Sequence, residues 1–441
     1  MYGSVQGNAD NAGGMSLRCL FIVQGEGRGH MTQALALQGL LKDAGHRVSH
    51  VVMGQSTRRD VPGFVREKLD APVSFVQSPN FVADEDERSV RPWATALQAI
   101  RDVRTLYRDL SKLNEIITAN DPDVVVNFFE PMAGWTYLRH APDPPLVCVG
   151  HQYMFLHPAY TFPPGRACSR WMARAFAMST AWRSDRHLAL SLYPVDAQHQ
   201  AAASAPKKRS VASWEGVSGD GQPSPRARRA SLQDDLVVMP PLLRDELFRQ
   251  PLGRTEPFYL VYIVNNGYAG QVIRWHEAHP ETRLHCFWDR PDARTVEAYD
   301  DTLTFHQLDD AKFLSMMARC RGLVSTAGFE SIAEAMYMGK PVQVVPVEGH
   351  FEQWCNAFDT VRAGAGIRSR RFELERLQRY IAKGPCSHSP DASPAGLSAD
   401  RFREWVDAGR SRFVREIEAA ARGDKAGRPE FAMPGAGMSA P

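Results

Sequence analysis

Two groups of residues carry the chemistry open to this chain. Gly25, Gly27 and Gly29 alternate and lead into His30; far along the chain Thr326, Ala327, Gly328 and Phe329 lead into Glu330, Ser331 and Glu334, and Glu352 and Gln353 follow. Small residues ahead of a helix let a ligand approach backbone N–H groups at the positive end of the helix dipole, where phosphate binds. Glu330 and Glu334 lie one helical turn apart, so their carboxylates can share a face and accept hydrogen bonds from neighbouring sugar hydroxyls. His30 adds a group that titrates near neutrality, and a positive helix end lowers its pKa and keeps it able to take a proton. Glu130 and His151 follow two apolar runs and could supply that base instead, or one could orient the other. Plainer readings stand beside these. Either Glu alone suits a solvated helix face, His30 could cap its own helix or contact phosphate, and Glu130 and His151 could form a structural pair.

The surrounding runs say what must position these residues. A strand over 17–23, a helix over 31–44 and a strand over 48–53 make a βαβ unit around the glycines. Their G-x-G-x-G spacing departs from the dinucleotide fingerprint G-x-G-x-x-G, and no acid stands about 20 residues on, which argues against NAD. In the later group Leu323 and Val324 end in Ser325 and Thr326, both good N-cap residues, before a helix over 329–338 that Gly339-Lys340-Pro341 stops. The β-branched run over 342–347 reads as a strand buried on both faces of a parallel sheet.

The motifs G-F-E-S-I-A-E-A, G-K-P and E-Q-x-x-N-A, with the glycine loop and its histidine, resemble the nucleotide-sugar glycosyltransferases of the GT-B class. The likeness is greatest to the bacterial lipid II-forming N-acetylglucosaminyltransferases and their less characterised relatives, and it covers about 17–367 apart from an insertion at 198–234. It implies an α/β fold of two Rossmann-like, doubly wound parallel-sheet domains facing across a cleft. It further implies inverting, metal-independent transfer of a hexose or N-acetylhexosamine from a UDP-sugar, with no other cofactor. The acceptor hydroxyl is left open among lipid, glycan, small aglycone and protein side chain. By resemblance Glu334 holds the ribose, the turn Thr326 to Phe329 the diphosphate, and Glu352 with Gln353 the hexose. Gly27, Gly29, Glu330, Ser331, and Asn266 and Gly267 in the turn after a strand over 258–264 complete the donor candidates. His30 is implied as base or close participant, while Glu130-Pro131 and His151-Gln152 resemble segments of the less characterised subgroup, so the base remains open among His30, Glu130 and His151. The same fold serves UDP-N-acetylglucosamine 2-epimerases, and a non-catalytic sugar-nucleotide-binding partner subunit is the other alternative.

The 441 residues allow two or three domains, and 44% hydrophobic residues suit sizeable cores. The expected division is a disordered 1–14, an acceptor-side domain over 15–248 with a disordered, basic insertion at 198–234, a linker over 249–257, a donor-binding domain over 258–385, a helix over 400–422 packing back, and a disordered tail over 423–441. A net charge of +2 gives no general push toward nucleic acid, and none is expected as a partner. Seven scattered cysteines without a C-x-x-C pair read as free thiols in a reducing compartment. With no signal peptide in 1–14 and no apolar run near the roughly 18 residues that span a bilayer, the expected place is the cytoplasm, with peripheral contact at the inner membrane face allowed. That contact would use a helix over 166–183, where Trp171, Ala175, Met178 and Trp182 form one stripe beside Arg170 and Arg174; the same stripe could be core. A loop is expected over 71–87 and one long amphipathic helix over 93–117. Asp84-Glu85-Asp86 and Asp121-Pro122-Asp123 match a metal-carrying Asp-x-Asp pattern but sit in a charged loop and a turn, so no metal is assigned.

Overall fold

The computed structural model describes residues 16–55, 63–78, 103–195, 235–263, 268–288, 290, 294–383 and 397–424. The first sheet contains β1 (Arg18–Gln24), β2 (Arg47–Gln55), β3 (Val73–Gln77), β4 (Val124–Phe128), β5 (Leu146–Gly150), β6 (Arg186–Leu190) and β7 (Leu236–Met239). Its order is β3-β2-β1-β4-β5-β6-β7, with every pairing parallel. The second contains β8 (Tyr259–Ile263), β9 (Leu284–Trp288), β10 (Val296–Ala298), β11 (Leu303–Gln307), β12 (Leu323–Ser325), β13 (Val342–Val344) and β14 (Gly366–Arg368). Its order is β10-β11-β9-β8-β12-β13-β14, parallel except where β10 meets β11. In each sheet the order reverses beside the first strand, between β1 and β4 and between β8 and β12. These switch points open a crevice at the carboxyl ends of the strands.

The apolar runs explain the layering. Every residue of β4, β5 and β6 is buried, because helices cover both faces of a parallel sheet. Along β1 the side chains alternate: Leu20 and Ile22 pack with Leu113 and Ile117 of the helix Val103–Asn120, while Phe21 and Val23 belong to the core on the opposite face. That second core includes Phe402, Phe413 and Ile417 of the C-terminal helix Ala399–Ala421, which also touches the second-domain helix Phe329–Tyr337. Full burial of such side chains contributes about 1.5–3 kcal/mol each. Arg186, almost wholly buried on β6, donates to the Glu416 carboxylate and, at 2.6 Å, to the Asp424 carbonyl, fastening this helix to the first domain.

Several expected elements differ. Residues 73–77, expected as loop, form the edge strand β3; its half-buried positions and polar Ser74 and Gln77 leave little alternation to read. The strand expected over 342–347 stops at Val344, just before Val345 and Pro346. The helix expected over 93–117 is described only as Val103–Asn120, so Trp93, Leu97 and Ile100 lie outside the described residues. The aromatic stripe over 166–183 is not core: in the helix Ala167–Thr180 the buried side chains are Ala177 and Thr180, while Trp171 is 70% exposed. Asp123 accepts from the Arg18 backbone N–H at 2.6 Å and Asp121 from its guanidinium at 3.1 Å, while 84–86 lies outside the described residues. No helix among the described residues is long and apolar enough to cross a membrane.

A Cβ added at Gly409 would lie 2.1 Å from Cγ of Pro240. Gly409→Ala is therefore expected to lower stability by about 1–3 kcal/mol through overpacking, read by urea denaturation. An unchanged midpoint would mean that the C-terminal helix does not seat against the first domain as described.

Candidate active site

The second-domain turn is built by residues on three elements. Neither Ser325 nor Thr326 caps the helix Phe329–Tyr337; its N-cap is Gly328, with no side-chain cap bond. Ser325 Oγ instead lies 3.0 Å from Ser331 Oγ, which donates to the Gly328 carbonyl at 3.1 Å, and the buried Thr326 Oγ1 has no hydrogen-bond partner among the described residues. Ala327 sits at φ +62°, a left-handed conformation that costs a non-glycine residue on the order of 1 kcal/mol. Asn356 holds it there, its Nδ2 donating to the Ala327 carbonyl at 3.0 Å. The effect is to turn an uncapped helix N-terminus toward the crevice, with first-turn N–H groups available to an anion. Beside it an apolar cavity at the β8–β12 switch is lined by Tyr262, Tyr268, Val272, Val324, Thr326 and Phe372.

The glycine loop stands opposite. Gly25 is required by closeness, since a Cβ would lie 2.0 Å from the Gly54 carbonyl. The helix Arg28–Asp43 starts three residues before the expected Met31, with Gly27 as N-cap, and so takes His30 into its first turn. The His30 ring is buried and stacks on Phe129 with centroids 5.7 Å apart. Its Nε2 lies 3.5 Å from Nε2 of Gln152. Donation from that amide would suit the tautomer with its lone pair on Nε2. Burial pushes the His30 pKa down, partly opposed by the charge of Glu352, and favours the neutral ring.

These two turns touch. Gly29 is near enough to Glu330 that a Cβ would lie 3.2 Å from its Cγ, and Gln33 donates to Glu330 Oε1 at 2.6 Å. Burial raises the Glu330 carboxyl to about 8. Glu334, the other carboxylate on this helix, is held by Arg244 at 2.6 and 3.1 Å, and Arg244 also lies 3.3 Å from Asp310. Gln353 Oε1 accepts from the Val347 N–H at 2.8 Å, and Glu352 is half-buried. Asn266 and Gly267 lie outside the described residues.

Of the other candidate bases, His151 joins the cleft and Glu130 lies apart from it. His151 begins a 3₁₀ turn, His151–Leu156, directly after β5. Its Nδ1 donates to the Leu190 carbonyl at 2.9 Å, its ring stacks on Phe329 at 4.1 Å, and its Nε2 lies 4.0 Å from Asp359 Oδ2. Asp359 in turn accepts from Tyr160 at 2.8 Å, Tyr193 at 3.3 Å and Arg362 at 3.2 Å. Glu130 is fully buried as N-cap of the helix Pro131–His140, accepting from the Met132 N–H at 3.2 Å and from Ser78 at 2.9 and 3.1 Å. Burial raises it to about 8. Sequence reasoning did not single out Gln33, Arg244 or Asp359. Gln33 follows His30 by three positions on one helix and could have been found by that spacing, whereas Arg244 and Asp359 gain their roles only from tertiary contact.

Between its ordinary value of 4.5 and about 8 the folded chain keeps a proton on Glu330 that the unfolded chain has lost, so this group's contribution to stability falls as pH rises through that window. Glu330→Gln should gain thermal stability relative to the parent between about pH 5 and about pH 8. A difference that stays flat with pH would contradict the buried acid. Asn356→Ala, which leaves the Ala327 carbonyl without its donor, is expected to cost about 1–3 kcal/mol in denaturant titration.

The model of the family described as glycosyl transferase family 1 matches residues 17–211 and 228–385. No curated protein matches the sequence. Among solved structures, the calicheamicin glycosyltransferase CalG4 is 18% identical with a TM-score of 0.54, covering 92% of this chain and 98% of that one. A UDP-glucosyltransferase from Polygonum tinctorium is 12% identical with a TM-score of 0.56, covering 93% and 100%. Arabidopsis thaliana UGT89C1 complexed with UDP-L-rhamnose is 14% identical with a TM-score of 0.55, covering 92% and 100%. At these identities the likeness is one of fold, two Rossmann-like domains in the GT-B arrangement, and the family match, spanning most of the sequence, identifies the chain as a member of glycosyl transferase family 1.

Proposed function

We propose that the chain transfers a hexose or N-acetylhexosamine from a UDP-sugar to an acceptor hydroxyl, with inversion and without a metal. The observation that carries this reading is the uncapped N-terminus of Phe329–Tyr337 beside the loop that carries the buried His30, with Gly29 and Gln33 against Glu330. In this reading the diphosphate lies on the N–H groups after Gly328. The ribose hydroxyls reach Glu334, and Glu352 with Gln353 take the hexose. His30 Nε2 takes the acceptor proton as its oxygen attacks the anomeric carbon from the side opposite the leaving group. The carbon–oxygen bond to the diphosphate breaks, and UDP leaves with both electrons of that bond, stabilised by the helix N-terminus. One structural neighbour is a UDP-glucosyltransferase, and another is complexed with UDP-L-rhamnose. The chain's own motifs supply the rest of the reading.

Calorimetric titration with UDP, TDP, GDP and UDP-sugars tests the donor site. UDP-selective binding that Glu334→Gln weakens about ten-fold, about 1.4 kcal/mol, is expected, measured at a temperature where circular dichroism shows the variant folded, since the change also breaks the buried pair with Arg244. Absence of nucleotide binding would remove the proposal. His30→Ala should lower turnover by on the order of 10²–10⁴ once an acceptor is found. Donor binding with no turnover change in His30→Ala or His151→Ala across an acceptor screen would favour a non-catalytic partner subunit, and epimerised donor formed without acceptor would favour an epimerase.

A further inference from the structure

The solvent side of the helix Ala167–Thr180 is unusual for a folded surface. Trp171 is 70% exposed, Met178 38% and Trp182, just past the helix end, 41%. Trp171 and Met178, seven residues apart on the helix, share one face, and Trp182 follows in the turn after it. The helix Pro131–His140 packs alongside and adds Leu138, 48% exposed. Charge is concentrated in the same segment: residues 151–184 contain Arg166, Arg170, Arg174 and Arg183 but no Asp or Glu, in a chain whose net charge is only +2. None of these arginines forms an ion pair with a described residue; Arg166 and Arg170 lie instead over the rings of Trp354 at 5.4 Å and Phe162 at 5.2 Å.

We propose that this face docks the protein on an anionic bilayer surface. Tryptophan, apolar in body and with one N–H donor, settles at the headgroup level, and arginines that form no ion pair with a described residue gain from anionic headgroups. An acid-free segment selects a negative partner, while the stripe of tryptophan and methionine favours a lipid layer over a purely hydrated polyanion. The placement has a consequence for access. The same helix packs against the second-domain helix Phe351–Arg362, and its first residues border Trp354. Docking through Trp171 and Trp182 therefore holds one edge of the cleft beside the lipid, where a membrane-borne hydroxyl could enter. This docking stands apart from the donor reading, since UDP binding does not depend on it.

Sedimentation of the full chain with vesicles of phosphatidylcholine alone, or mixed with phosphatidylserine, tests the proposal. Binding to the mixed vesicles, weakened by salt, is expected. Replacing Trp171 and Trp182 by Ser should lower partition about ten-fold or more, and Arg170→Gln and Arg174→Gln about five-fold each. Melting temperature and UDP affinity should stay at parent values in the double tryptophan variant and in both arginine variants. Parent-like vesicle binding by the variants would overturn the proposal and move the contact elsewhere, the basic segment 198–234 included. No binding to the mixed vesicles would also overturn it, as would a parent dimer that the tryptophan changes convert to monomer, which would make the stripe a self-association face.

Discussion

A carboxyl group taken out of water must be paired, hydrogen-bonded or protonated, and three such groups of the second domain meet that requirement through the first. Glu334 is held by Arg244, Glu330 by Gln33, and Asp359 by Tyr160 and Tyr193. Removing one partner of a buried ion pair typically costs about 3–5 kcal/mol, because the remaining charge keeps its desolvation penalty. Separating the domains breaks all three contacts together but also returns the groups to water, so closure is set by a balance rather than by a simple sum of bonds. Water or a ligand hydroxyl can replace each first-domain partner. The seam is therefore suited to opening for a polar ligand in a way that an apolar seam is not.

The same constraint shapes the donor turn. Ala327 is held left-handed because Asn356, from a helix that follows the next strand, captures its carbonyl, and this spares the helix N-terminus a side-chain cap. A serine or threonine cap would occupy the N–H groups that an anion needs. Thr326 and Ser325 stand within reach of that role in sequence, yet the backbone passes through Ala327 and Gly328 and takes them off the cap position. The E-Q-x-x-N-A motif thus divides its work: Asn356 forms the turn, Gln353 ties the Val347 N–H, and Glu352 acts on His30 through its charge.

Much of the fold could be read from runs that are apolar on both faces. Residues such as Val124, Val125 and Val126 admit only a two-sided burial, and hence a parallel sheet with helices above and below. Strands β3 and β10 escaped because they are edges, half-buried or wholly exposed, and edges carry little hydrophobic pattern. The glycine loop and donor turn were legible because glycine and small residues before a helix have a specific physical use. Arg244, Asp359 and Gln33 were not, since an arginine or aspartate acquires its partner only when distant segments meet. Trp171 shows the opposite limit: helical periodicity located its stripe, but periodicity alone cannot tell a face turned to a core from one turned to solvent.

The proposed assignment of the base rests on which lone pair is left for an incoming hydroxyl. Glu130 is the least suited, since Ser78 and the Met132 N–H already occupy its oxygens and burial favours its protonated form near neutral pH. His151 points a basic Nε2 toward Asp359, an oxygen that an acceptor hydroxyl would have to displace or share, and its ring is pinned between Phe329 and the Leu190 carbonyl. His30 has only a 3.5 Å contact from an amide at Nε2, and a substrate hydroxyl can take that place with a shorter and better bond. Its lowered pKa favours the neutral ring, which has a lone pair free to take the acceptor's proton. His151 then serves by its position against Phe329, at the first residue of the helix that would receive the leaving diphosphate.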